Sequence, residues 1–368
     1  MPTLFLGGDL MTGRGVDQIL AHPGEPRLWE GATGDARTYV RMAEMANGAI
    51  PAPAADGWPW GEALDLLDRY GAQVRIANLE TSITTHDEPE PGKAVHYRMA
   101  PDNVGCLTAA RLDAVALANN HVLDFGPAGL VETRQTLQRV GIATAGAGRT
   151  AEEARQPAIV SPEPGVRVVL FSLASRSSGV PPQWTATPDG PGVWLFDETS
   201  PEGVAPILDR VEAVRRPGDI VVVSVHWGSN WGYDVPAQHV AIAHRLIDGG
   251  VDVVHGHSSH HPRPVEVYRG KLILYGVGDL IDDYEGIGGY ERYRPELRVL
   301  PLATVEPGSG RLARLRLLPV RIRRMRLRHA ERDEANSLGD TLNAISPTVS
   351  FELTGDGLLE LTNGQLTE

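Results

Sequence analysis

Five short segments of this 368-residue chain carry side chains suited to metal binding and proton transfer. They are Gly8-Asp9, Asn78-Leu-Glu80, Asn119-Asn-His-Val-Leu-Asp124, Val225-His-Trp-Gly228 and His255-Gly-His-Ser-Ser-His260. Singly, each is weak: a Gly-Asp pair is most often a turn, and a lone His after a strand is most often a satisfied core residue. Together they form an ordered series, each leaving an apolar run and each offering a carboxylate, amide or imidazole. The chain has 12 His and one cysteine, Cys106, so intrachain disulfides and Cys-based zinc sites are excluded. The remaining donor set suits a divalent cation that accepts oxygen and nitrogen ligands.

The elements that must position these residues are short and buried. Apolar runs at Thr3–Leu6, Val74–Asn78, Ala114–Leu117, Val166–Leu173, Ile220–Val225, Val251–Val254 and Leu272–Tyr275 read as strands. Helical spacing falls at Tyr39–Asn47, Gly61–Tyr70, Val104–Arg111, Ala128–Val140 and Ala237–Asp248. This alternation predicts an α/β fold, in which polar residues leaving the strand ends line the binding crevice. The strand-end pattern runs from Asp9 to Asp279, so the expectation is one catalytic domain over residues 1–330 with a C-terminal extension over 331–368. Arg311–Arg328 carries eight Arg alternating with apolar residues around Pro319 and reads as a pair of edge strands with Arg on the outer face. A sharper reading is a basic face for an acidic polymer. Trp227 and Trp231 flank His226, and Trp58 and Trp60 lie in a Pro/Gly loop. These four are read as core and lid packing, or as an aromatic wall for a substrate side chain.

A formal charge of −13 argues against nucleic acid as the main partner. No apolar run is long enough to span a bilayer, and the N-terminal stretch meets Asp9 without a basic lead-in, so a cytoplasmic protein without membrane contact is expected. Of 34 basic residues only Lys93 and Lys271 are lysine, which reads as coding bias. The oligomeric state is open.

Gly8-Asp9, Asn78-Leu-Glu80, Ala118-Asn-Asn-His121, His226-Trp-Gly, Gly256-His-Ser-Ser-His260 and Tyr275-Gly-Val-Gly-Asp279 together resemble the calcineurin-like metallophosphatase superfamily, and within it the CapA-type branch of poly-gamma-glutamate capsule synthesis. The resemblance covers about Thr3 to Tyr284. It implies a four-layer α/β/β/α sandwich with the site at one edge of the paired sheets. It places Asp9, Glu80, Asn120, His226 and His257 where the superfamily binds metal, with His255 a further candidate ligand. It places His121 where the superfamily keeps its catalytic His. Asp124 would orient His121, and Asp279 would pair with His260. Two departures stand out: Met11 replaces the His that follows the first Asp, and Glu80 replaces a bridging Asp. They predict a single divalent ion (Ca, Mn, Mg or Zn) and leave His121, Asp124, His260, Asp9 and Asp279 free for acid–base work.

Three functions from different classes follow as expectations. The first is a metal-dependent isomerase resembling the lasso-peptide epimerases, inverting the α-carbon of the C-terminal residue of a peptide substrate. The second is a metal-dependent hydrolase or transferase acting on a phosphoester or a γ-glutamyl polymer. The third, non-catalytic polymer handling, would be expected to come with an N-terminal anchor, which is not seen.

Overall fold

The computed structural model describes residues 1–363 and places most of their strands in two stacked sheets, with two further two-stranded pairs. The larger has ten strands, centred on Thr3–Leu10. That strand runs parallel to Val74–Leu79 and antiparallel to Leu297–Val305, and Ala114–Ala116 and Ala143–Ala145 extend the parallel half. The smaller sheet has six strands. Its parallel core is Val166–Ala174, Ile220–His226, Val253–His257 and Lys271–Leu274, flanked by antiparallel Ala158–Glu163 and Val265–Tyr268. Parallel strands are covered on both faces, which is why they read as unbroken apolar runs rather than alternating ones.

Three apolar clusters separate four layers. Successive residues of a strand point to opposite faces. Val168 and Leu170 therefore meet Leu4, Leu6 and Val222 between the sheets. Val169 and Phe171 turn outward to Ile207 and Ile242, on the helices Ala205–Val214 and Ala237–Asp248. Phe5, on the far face of the large sheet, belongs to the cluster of Val16, Leu67 and Leu130, from the helices Arg14–Ile19, Ala63–Arg69 and Gly126–Arg139. Each fully buried Leu or Ile contributes roughly 1.5–3 kcal/mol of transfer free energy against chain entropy. The result is the α/β/β/α sandwich that the family resemblance implied.

One expectation about the C-terminal region is corrected. Arg311–Arg328 is not a pair of edge strands: Leu312–Ile322 is an interior strand between Leu297–Val305 and Leu359–Asn363, and Leu327–His329 folds back on it. Arg314 is paired with Glu360, and Arg321 with Glu334. These partners come from the last part of the chain, and Arg314 stays half exposed beside its own. Beyond residue 330, the helix Arg332–Ile345 starts at a capping box of Glu331 and Glu334. Its Leu338 and Leu342 enter the intersheet cluster. Among the described residues no helix is long and apolar enough to cross a membrane.

Candidate metal centre and acid–base site

Strand register assembles the site. His226 and His257 are the last residues of adjacent parallel strands and are direct register partners. On the large sheet, Asp9 pairs with Asn78 on one side and with Asp279 on the other. The strand carrying Asp9 is irregular at Gly7–Asp9, where it passes close to Gly278. Asp9 N donates to Gly278 O at 3.0 Å, and a Cβ on Gly8 would lie 1.8 Å from that same oxygen. Glycine at position 8 is what allows the two backbones to approach.

Asp9, His226 and His257 bring one ligand atom each within 4.8 Å of one another, all three fully buried. Asp9 Oδ1 accepts from Asn78 Nδ2 at 2.7 Å, and Oδ2 accepts from Ser258 N at 3.0 Å. His226 Nδ1 and His257 Nδ1 face each other at 2.8 Å, and His226 Nε2 lies 3.1 Å from Asn120 Oδ1. Glu80 Oε1 stands 3.8 Å from His226 Nε2. Burial pushes both imidazoles well below their ordinary range, so each offers a lone pair. Burial raises Asp9 to about 7, helped by the charge of Asp279, and holds Glu80 well above the ordinary carboxylate range, with Asp9 adding to the effect. Neutral imidazoles and crowded buried carboxylates are the donor set a divalent ion stabilises, so these residues fit one.

His255 stands behind the ligand-competent group. Ser224 Oγ lies 2.8 Å from His257 Nε2 and 3.1 Å from His255 Nδ1. Proton donation from His257 to Ser224, and from Ser224 to His255, leaves His257 Nδ1 as the free lone pair. His255 thus serves to fix a tautomer, as groups behind metal-binding imidazoles do.

Two His–Asp pairs flank this centre: His121 and Asp124 share a loop of the large sheet, and His260, from the loop after Val253–His257, meets Asp279 at the start of a large-sheet strand. His121 Nδ1 lies 2.6 Å from Asp124 Oδ2, which also accepts from Tyr97 N at 2.7 Å. Lys93 Nζ donates to Asp124 Oδ1 and to the Asn120 carbonyl. Burial lowers His121 to about 4 despite Asp124. His260 Nδ1 lies 2.7 Å from Asp279 Oδ1. Burial opposes its charge, but Asp279, Asp9 and Asp282 outweigh it and raise His260 above the ordinary value. Asp9, His260 and Asp279 also form a second ligand-competent group that shares Asp9 with the first. Buried Met11 sits beside Tyr284, whose hydroxyl lies 3.4 Å from its sulfur and 2.6 Å from Tyr97 Oη.

Both pairs open onto a cavity of about 420 Å³, lined also by Glu80, Asn120, Arg14 and Lys93. Trp231 and Tyr290 stack at its wall, 4.0 Å apart and 10° from parallel. The other flagged tryptophans serve elsewhere. Trp227 stacks on His239, Trp60 is buried with its Nε1 on Cys106 O, and Trp58 packs beside Arg324 and Arg326. Sequence reasoning missed Arg14, at the start of a short helix, and Tyr97 and Tyr284, which come from loops. It also passed over Lys93, whose rarity in an arginine-rich chain was the available signal.

Layer order and a carboxylate–imidazole centre at the strand ends define a metallophosphatase-like α/β/β/α protein. Residues 3–284 match the family described as Bacterial capsule synthesis protein PGA_cap, and the chain belongs to that family. It is 52% identical over 362 residues to a probable polyglutamine synthesis accessory protein of Mycobacterium tuberculosis (strain CDC 1551 / Oshkosh), covering 98% of this chain and 95% of that one. It is 27% identical over 277 residues to the PGA biosynthesis protein CapA of Bacillus subtilis (strain 168), covering 75% of this chain and 62% of that one. Among solved structures, a 5'-nucleotidase precursor from Thermus thermophilus aligns with 93% of this chain and 59% of its own, at 14% identity and a TM-score of 0.44, too loose to argue from.

Proposed function

We propose that this chain is a metal-dependent enzyme of capsule-type polymer synthesis that hydrolyses or transfers a γ-glutamyl amide linkage. The observation that carries the reading is the convergence of two His–Asp pairs on one cavity beside the Asp9, His226 and His257 group. Family membership and the printed names of its relatives, one in polyglutamine synthesis and one in PGA biosynthesis, support the polymer. A divalent cation held by Asp9, His226 and His257, with Glu80 and Asn120 beside them, supplies Lewis acidity toward a polarised carbonyl. The chain's own residues do the rest. His121, oriented by Asp124, accepts a proton from the water or acceptor amine that bonds to the carbonyl carbon, and His260, oriented by Asp279, delivers one to the amine as its bond to that carbon breaks.

A second reading is the peptide epimerase, which removes an α-proton on one face and returns one on the other. Its favouring observation is that two separate His–Asp pairs, His121–Asp124 and His260–Asp279, bring their imidazoles to one cavity, while Met11 stands where a phosphatase needs His. One experiment separates the two. Purified protein is incubated in heavy water with Mn, Ca, Mg or Zn and either a γ-glutamyl oligomer or a peptide with a free C-terminus, then analysed by mass. Shortening or transfer of the oligomer supports the first reading. Deuterium at an α-carbon without shortening replaces it with the second. Unchanged masses with metal-loaded protein sink both.

A further inference from the structure

Two phenols at the cavity stand outside the proton transfers described above. Tyr97 and Tyr284 line it together with His121 and His260. The Tyr97 and His121 rings pack T-shaped, 4.4 Å between centroids and 71° apart. The Tyr284 and His260 rings do the same at 5.4 Å and 80°. The two hydroxyls meet each other at 2.6 Å. One hydroxyl pair therefore joins the two rings that pack on the two proton-transfer imidazoles.

Counting protons shows what this pair has left. Each hydroxyl carries one proton, and their mutual hydrogen bond uses one of the two. For the other, the only acceptor among the described residues is the Met11 sulfur, 3.4 Å from Tyr284 Oη. A thioether accepts weakly. A phenol keeps its proton at neutral pH, so the second proton is a donor in want of an oxygen. The donor is also fixed in advance. Tyr97 N donates to Asp124 Oδ2 at 2.7 Å, and its carbonyl accepts from Ser82 N at 3.1 Å. Its ring centroid lies 4.5 Å from the Arg14 guanidinium, which Asp283 and Glu30 hold by its edges. Tyr284 N donates to Asp282 Oδ1 at 3.0 Å. Donors held in place before charge develops need no reorganisation when it does, and that is where hydrogen bonds act most strongly on a rate.

We propose that the Tyr97–Tyr284 hydroxyl pair is a catalytic hydrogen-bond donor to the substrate oxygen that gains negative charge. This rests on the reading above that an acyl carbon is attacked here. As the water or acceptor amine bonds to that carbon, the carbonyl π pair moves onto the oxygen. The second phenolic proton hydrogen-bonds to that oxygen and stays on its phenol. The electron pair returns to carbon as the carbon–nitrogen bond breaks. The bond to the hydroxyl strengthens as charge builds, so its effect falls on the rate rather than on substrate binding.

The test compares the parent with Tyr284→Phe and with the double variant Tyr97→Phe plus Tyr284→Phe. The single change leaves the Tyr97 hydroxyl to donate alone, whereas the double change removes both partners and leaves neither unpaired. Calorimetry on full-length, Mn-loaded protein measures a γ-glutamyl dipeptide and its phosphinate analogue, in which a charged tetrahedral phosphinate and a methylene replace the amide. The double variant is expected to lose at least about tenfold in phosphinate affinity, with dipeptide affinity and metal content unchanged. Its kcat for the dipeptide should fall about 10²–10³-fold at constant KM. Equal phosphinate affinity in parent and double variant overturns the proposal. So does absence of phosphinate binding by the parent, or an equal loss for both ligands. Cleavage at the parent rate by the double variant overturns it while leaving the hydrolase reading intact. Hydroxyl-dependent phosphinate binding by a protein that cleaves nothing leaves the donor standing and removes the hydrolase reading.

Discussion

The hydroxyl of Tyr284 lies 3.4 Å from the sulfur of Met11, two residues after Asp9 in the sequence and buried beside the candidate centre. A thioether is a weak acceptor and a poor partner for hard divalent ions, so this contact makes position 11 part of the wall rather than part of the ligand set. Met11→His would put an imidazole beside Asp9 and within reach of the Tyr284 hydroxyl. The expected outcome is one further equivalent of bound Mn or Zn per chain by elemental analysis, with weak cleavage of an aryl phosphate appearing. The polar replacement should cost roughly 1–3 kcal/mol of stability. Unchanged metal content in a folded variant would show that position 11 does not limit the centre.

The His121–Asp124 pair gives a prediction about turnover. His121→Ala removes a proton-transfer group and should reduce the rate by about 10²–10⁴-fold. Asp124→Asn should act in the same direction, because it removes the partner that fixes the imidazole tautomer. Metal content and melting temperature of His121→Ala should match the parent. If the rate survives, His121 is not the proton acceptor.

The loop after His226 gives a prediction about acid. Ser177 Oγ accepts from Gly228 N at 2.8 Å and donates to Glu198, which also accepts from Ser177 N at 2.7 Å and lies 3.1 Å from His239 Nε2. Burial alone would raise Glu198, but hydrogen bonds from His239, Ser177 and Ser175 outweigh it and hold it down to about 2. The ordinary value is 4.5. The native state therefore favours the ionised form. Its contribution to stability is full above about 4.5 and is lost as pH falls from there through about 2. Urea midpoints measured between pH 5 and pH 2.5 should fall for the parent and fall less steeply for Glu198→Gln. Identical slopes would remove Glu198 from the account.

The crossing at Gly8 gives a prediction about backbone. A methyl group there would lie 1.8 Å from the Gly278 carbonyl, which cannot swing aside as a side chain could. Gly8→Ala should destabilise the fold by about 3 kcal/mol. Gly31→Ala, where a Cβ meets nothing within 4 Å, is the matched control and should change little. Urea unfolding of the two variants decides it.

The parts of this molecule that were legible from the chain share a physical cause. Parallel strands covered on both faces leave unbroken apolar runs, and the first polar residue after each run stands out. That exposes Asp9, Glu80, His226 and His257, and the α/β class with them; the layer order came from the family resemblance. The Arg-rich stretch misled because alternation reports two faces of a strand without saying what covers each. Its ion-pair partners, Glu334 and Glu360, lie outside the stretch itself. The cavity wall was least legible. Tyr97, Tyr284 and Tyr290 arrive from loops without periodicity, and Arg14, at the start of a six-residue helix, meets Asp283 across 269 positions of sequence.

Because His226 partners His257, and Asp9 partners Asn78 and Asp279, through backbone ladders, the spacing of the central side chains is inherited from the roughly 4.8 Å separation of neighbouring strands. That spacing belongs to the sheets and not to the loops. The segments bearing Lys93, Trp231 and Tyr290 are therefore free to diverge in length and composition without disturbing it. A lineage of such proteins can change what it handles by rewriting three surface segments while its central chemistry is passed on intact.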